Sequence, residues 1–208
     1  MKIAHASSSR SWDFIPRYTG PREEEMTTRQ KSIRDTIKKS RPRTGLSGPF
    51  GPWLAVPNIA EPAQALGKAC RYDTSLSFRE SELVILLTGA AQQSATEFDI
   101  HESEAQKAGL SPEVIAAIPR NTNDGGDKFL LETITKNLLP LLRNDREKAI
   151  AAFATELLER STVSDDTYNR TKEVLNGKDS VLVEITSIIG YYTYVAYTLN
   201  VFRIPSSF

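Results

Sequence analysis

The sequence predicts an all-α protein, and three observations lead there. No stretch of the 208 residues alternates apolar and polar side chains for the length of a strand. Helix-start signatures recur instead: Ser77-Phe-Arg-Glu80 and Ser94-Ala-Thr-Glu97 both have the capping-box spacing, and Ser111-Pro112-Glu113 places proline at a first helical position. Finally, 181–202 is a long, nearly uncharged run. It carries Glu184, Thr186, Ser187, Thr193, Thr198, Asn200 and four tyrosines, too polar for a bilayer span, so it reads as the central buried helix of a soluble domain.

The elements follow in chain order. Residues 1–20 hold Ser7–Ser9, Pro16 and Gly20 without periodicity and read as a loose arm; Trp12, Phe14, Ile15 and Tyr18 suggest that part of it docks. Residues 22–40 begin with Glu23–Glu25 and end with Lys38 and Lys39, which suits a helix dipole, but few apolar positions repeat, so a surface helix is expected. Across 41–60 the seven Pro and Gly residues are expected to forbid regular structure. The apolar Leu46, Phe50, Trp53, Leu54 and Val56 would then form a buried connector or a pocket wall. Short helices are expected over 59–73 and from the Ser77 capping box through Glu82 to Gln93. Another should start at Ser94 and stop at Gly109, where a C-terminal cap belongs. Residues 120–127 read as a loop, followed by helices near 127–143, 146–160, 164–175 and 179–202. The expected organisation is an N-terminal arm and surface helix over 1–42, and one domain over 43–208.

Composition narrows the function. Lys+Arg and Asp+Glu are both 26, so zero net charge gives no electrostatic case for nucleic acid. The single Cys70 cannot form an intrachain disulfide, a Cys-x-x-Cys redox pair or a cysteine-rich zinc site, which suits a reducing, cytoplasmic setting. No apolar secretory run is visible in the first thirty residues, and no membrane partner is expected. The basic run 38–43 reads as solvated.

Two histidines exist. His5 lies in the arm and receives no role. His101 lies four residues after Glu97, so the two share a helix face, with Ser94, Phe98, Ala105 and Ala108 on the same side. A carboxylate beside an imidazole can hold one ring nitrogen while the other handles a proton near neutral pH. The plainer alternative leaves Glu97 as a helix cap and His101 as a bonded core histidine. Glu82 is either a first-turn acid or an inward one, and Glu184 reads as a first-turn acid. The His101 helix lacks the second histidine of a zinc-protease motif, and no Glu-x-x-His pair supports a di-iron site.

These residues occur in a recognisable order. Gly48-Pro-Phe-Gly-Pro-Trp-Leu54, Phe78-Arg-Glu-Ser-Glu-Leu83, Glu97-Phe-Asp-Ile-His101 with Ala105-Gln-Lys-Ala-Gly-Leu110, Gly190-Tyr-Tyr-Thr193 and Leu199-Asn200 together resemble the carboxymuconolactone decarboxylase-like family, within the alkylhydroperoxidase D-like all-α fold. The resemblance spans about 43–205 and implies a helical bundle that assembles as a homo-oligomer, a trimer or hexamer. The peroxidase branch carries Cys-x-x-Cys-x-x-x-His with an upstream glutamate. Aligned on His101, its cysteines fall on Ser94 and Glu97, and its glutamate on Glu82. The acid/base residues survive and the thiols do not, so thiol peroxidase activity is not expected.

The decarboxylase branch needs no thiol and no cofactor, and its substrate is a small unsaturated lactone carrying a carboxylate. The resemblance then implies His101 as general acid/base, Glu97 as its orienting partner and Glu82 as a second proton-handling carboxylate. Trp53 would line the pocket, with Tyr192 and Asn200 as polar contacts. The chain departs from the compact bacterial enzymes in its N-terminal extension and added C-terminal helices, and Phe98 stands where many relatives have Trp. The expected function is a lyase on a small organic acid or lactone. A cyclase, isomerase or dehydratase of secondary metabolism is one alternative, and a catalytically silent helical subunit is the other.

Overall fold

The computed structural model describes residues 15–41, 45–120 and 130–206, and within them every regular element is helical. Ten α-helices follow one another: α1 Thr28–Ser40, α2 Phe50–Leu54, α3 Pro57–Tyr72, α4 Phe78–Ala91, α5 Ala95–Lys107, α6 Pro112–Ala116, α7 Leu131–Asn137, α8 Asp145–Arg160, α9 Asp165–Val174 and α10 Asp179–Phe202. Short 3-10 turns lie at Glu23–Glu25 and Leu139–Leu141. His5, Trp12, Phe14 and the expected loop from 121 onward fall outside the described residues.

Helix α4 is the hub. It starts from the expected capping box, in which Ser77 Oγ accepts from Glu80 N–H and Glu80 accepts from Ser77 N–H. It packs against α5, α8 and α10 together, and every residue from Arg79 to Ala90 is buried. A helix enclosed on all sides cannot leave a polar side chain unpartnered without cost. Its acids and bases accordingly pair: Arg79 Nε with Glu147 of α8 at 2.8 Å, and Glu80 with Arg146 at 2.6 Å. The remaining acid, Glu82, points into the site described below.

Two glycines set helix spacing. A Cβ on Gly67 of α3 would lie 2.1 Å from the Tyr191 hydroxyl of α10, so the bare backbone makes room for that ring. A Cβ on Gly89 of α4 would lie 3.3 Å from Phe98 N and 3.5 Å from Glu97 Cγ, so α5 starts close against α4.

Several expectations change. Regular structure does occur within 41–60: after turns over 45–49, α2 and the start of α3 lie there. Pro52 occupies the third position of α2 and Pro57 the first of α3, positions whose N–H groups have no intrahelical acceptor, so proline costs no bond. Arg41 is not a solvated member of a basic patch. It is buried, donates to Gln64 O at 3.1 Å and lies over the Phe50 ring at 4.5 Å. The helix expected through 127–143 stops at Asn137, ahead of Pro140 in the following 3-10 turn. Glu184 lies beyond the first turn of α10 and accepts from Ser75 N–H and Oγ, tying the α3–α4 connection to α10.

The arm does dock. Arg17 N–H donates to Phe202 O at 2.9 Å, and the Tyr18 and Phe202 rings lie 6.0 Å apart. Helix α1 is mostly exposed, and its only buried residues are Ile33 and Ile37, which enter the common core. No helix among the described residues is long and apolar enough to cross a membrane.

Candidate active site

The site lies where α3, α4, α5 and α10 meet, and its centre is His101, only 7% exposed. Glu82 is fully buried on α4, and its Oε2 lies 2.8 Å from His101 Nδ1. Glu97, one turn before His101 on α5, brings Oε1 to 3.2 Å from Nε2. Each ring nitrogen therefore faces a carboxylate and neither is tied to main chain.

The capping box expected at Ser94 is absent, and its absence explains Glu97. Ser94 is the N-cap residue of α5 by position, yet its hydroxyl makes no capping bond. Glu97 is not spent on the helix end and turns to the imidazole. Ser94, Glu97 and His101 stand at i, i+3 and i+7, one row along the buried face of α5.

Arg71 completes the cluster, and the sequence reading missed it. Its Nη1 lies 2.6 Å from Glu82 Oε1 and 3.1 Å from His101 Nδ1, while Nη2 reaches Glu104 at 3.4 Å. The only advance signal was a basic residue in the last turn of the helix before Glu82, which is too common to single out. Arg71 and Glu82 compete for the same ring nitrogen. A protonated Nδ1 donates to Glu82; a bare Nδ1 accepts from Arg71. Burial opposes the charged ring, but the two carboxylates outweigh it, and the His101 pKa rises from 6.5 to about 9. The protonated state holds at neutral pH. Glu82, Glu97, Arg71 and the imidazolium then sum to zero charge.

Tyr192 of α10 closes one side of the ring, edge-on at 5.1 Å, with its hydroxyl beside the Arg71 guanidinium. Burial pushes this phenol well above its ordinary pKa, so it stays neutral. Trp53 lies further along the same aromatic row. It stacks on Tyr194 at 4.7 Å, meets Tyr191 edge-on at 6.2 Å and donates from Nε1 to Thr198 Oγ1 at 3.0 Å. Tyr191 meets Tyr192 in turn, so Trp53 reaches His101 only through two rings. Asn200 is not brought into the cluster. It is exposed and donates to Gln92 O at 3.1 Å, roughly 12 Å along α10 from Tyr192 at 1.5 Å per residue.

Of the residues picked out from sequence, the fold therefore gathers His101, Glu97, Glu82 and Tyr192, and sets Trp53 and Asn200 apart. Cys70, beside Arg71 in sequence, is buried and its thiol pKa is raised by that burial. Among the described residues, no three His, Cys, Asp or Glu side chains are placed to hold a metal ion.

This geometry, an imidazole between two carboxylates inside a helical bundle, defines a candidate proton-transfer centre. Residues 57–124 match the model of the Carboxymuconolactone decarboxylase family, a segment that contains Arg71, Glu82, Ser94, Glu97 and His101. The fold resembles a solved structure from Ralstonia eutropha JMP134, described as an alkylhydroperoxidase AhpD core and an uncharacterized peroxidase-related protein. The TM-score is 0.69 at 18% identity, covering 93% of each chain. A comparison with curated proteins gives no match. The segment 57–124 thus carries the pattern of the Carboxymuconolactone decarboxylase family, and the chain as a whole has the AhpD-like helical fold.

Proposed function

We propose that this protein is an enzyme of proton transfer at carbon, with His101 as the general acid. The observation that carries this reading is the imidazole held between Glu82 and Glu97. In the imidazolium Nδ1–H donates to Glu82, which Arg71 holds in place, and this leaves Nε2–H as the proton to be delivered. Its contact with Glu97 is close but poorly aligned for a hydrogen bond, so a substrate atom can compete for it. Glu97, beside it, serves as the base that takes a proton or restores one to the ring.

In the lyase form, the electrons of a breaking C–CO2 bond pass into a conjugated lactone, and Nε2–H protonates the resulting carbanion. Water then reprotonates the ring. In the isomerase, cyclase or dehydratase form, Glu97 removes a proton from carbon and His101 protonates the substrate elsewhere. A thiol peroxidase reading is disfavoured because Ser94 and Glu97 stand where the two thiols are needed and Cys70 has no partner.

The test is a panel of unsaturated lactones, with and without a carboxylate, incubated in deuterium oxide. Deuterium should appear at carbon in the product, and trapped carbon dioxide separates lyase from isomerase chemistry. His101→Asn should lower turnover by about 10²- to 10⁴-fold. No turnover of any member, or unchanged turnover in a folded His101→Asn protein, contradicts the proposal.

A further inference from the structure

Three buried atoms at this site lack an aligned hydrogen bond: Ser94 Oγ, Glu97 Oε1 and Glu82 Oε1. The two carboxylate oxygens lie against cations at 3.2 and 2.6 Å, so they are compensated in charge though not in hydrogen-bond direction. Ser94 has neither kind of partner. Its residue is 1% exposed, and its hydroxyl is the one uncommitted group in the row Ser94–Glu97–His101.

Charge decides what such a row can receive. Glu82 and Glu97 already balance Arg71 and the imidazolium. Glu97, in the first turn of α5, also answers the positive end of that helix dipole. Arg71 is engaged by Glu82, Glu104 and Tyr192, and Lys107 by Glu104 at 2.7 Å. A carboxylate placed beside Ser94 would be a buried charge without a cation to meet it, and an ammonium would be the converse error. A neutral hydroxyl adds no charge. It can donate to Glu97 Oε1, which only accepts, and can accept from Ser94.

Resting on the proton-transfer reading and choosing between its branches, we infer that Ser94, Glu97 and His101 bind an uncharged hydroxyl or enol group of the substrate, with Ser94 as a binding residue, and that anionic groups are kept out of this row. The substrate class is thus a neutral alcohol, phenol or enol, and the isomerase, cyclase or dehydratase branch is favoured over decarboxylation of a buried carboxylate.

Three ring compounds that differ only in their polar group test this: phenol, anisole and benzoate. Each is titrated into the full chain while the His101 ring signals are followed by nitrogen-15 NMR. Phenol is expected to shift those signals and to bind at least about tenfold tighter than benzoate, consistent with a buried unpaired charge. Anisole, which cannot donate, should bind more weakly than phenol. Ser94→Ala should weaken phenol about 2- to 10-fold, and should weaken anisole no more than that, since its ether oxygen can only accept from Ser94.

Equal or tighter binding of benzoate, equal binding of anisole, or no shift from any probe up to about 10 mM overturns the inference. The last outcome would mean that buried water alone meets these atoms. An anion preference with the imidazolium intact defeats the inference but leaves the proton-transfer reading standing. A neutral His101 ring defeats the reading itself.

Discussion

His101 Nδ1 lies 2.8 Å from Oε2 of a glutamate that has no solvent exposure at all, Glu82. The pair joins α5 to α4, the most enclosed helix of the bundle. A carboxylate in that position needs positive charge from two sides, and it receives it from His101 and Arg71.

Glu82→Ala should therefore be strongly destabilising. It leaves an imidazolium and a guanidinium buried without their shared acid, a change that costs about 3–5 kcal/mol in comparable buried pairs. Urea unfolding at pH 7 measures it. A loss below about 1 kcal/mol would mean that the cluster behaves as a surface ion pair.

Stability should fall on the alkaline side. The folded His101 pKa is raised from 6.5 to about 9, so the folded state holds this proton more tightly than the unfolded chain does. That contribution is complete below pH 6.5 and is lost as pH rises through about 9. The urea midpoint of the wild type should drop across this window, and His101→Asn should flatten the drop. Equal slopes for the two proteins would contradict the shift.

The homo-oligomer expected from the family resemblance has a candidate contact face on α10. Val183, Gly190, Tyr194, Tyr197 and Val201 form an exposed stripe with heptad-like spacing. Sedimentation at micromolar concentration should show an assembly larger than one chain, and Tyr197→Glu should dissociate it. A monomeric wild type rules the face out as a self-contact.

The fold was legible where local chemistry and packing agree. Ser77 and Glu80 form the expected capping box, Gly109 takes the expected left-handed turn at φ +89°, and 179–202 is the expected long helix, though it is buried along one face only and the central buried helix is α4. It was misread where the identity of a residue hides its position. Pro52 and Pro57 look like helix breakers until their N–H-free first-turn placement is known. Within the site, the i, i+4 spacing of Glu97 and His101 was visible in the sequence. The capping spacing of Ser94 and Glu97 competed with it, and only tertiary packing decides between the two. Arg71 was invisible because its partners lie 11 and 30 residues away, on two other helices.

His101 carries a proton at neutral pH because two carboxylates hold it. With two histidines in the chain, a His5→Gln background leaves one imidazole to observe. Titration of its ring nitrogens by nitrogen-15 NMR is the most direct measurement. The expected result is an imidazolium at pH 7.5 that titrates near pH 9. A neutral ring at pH 7.5, titrating at or below 6.5, would contradict it.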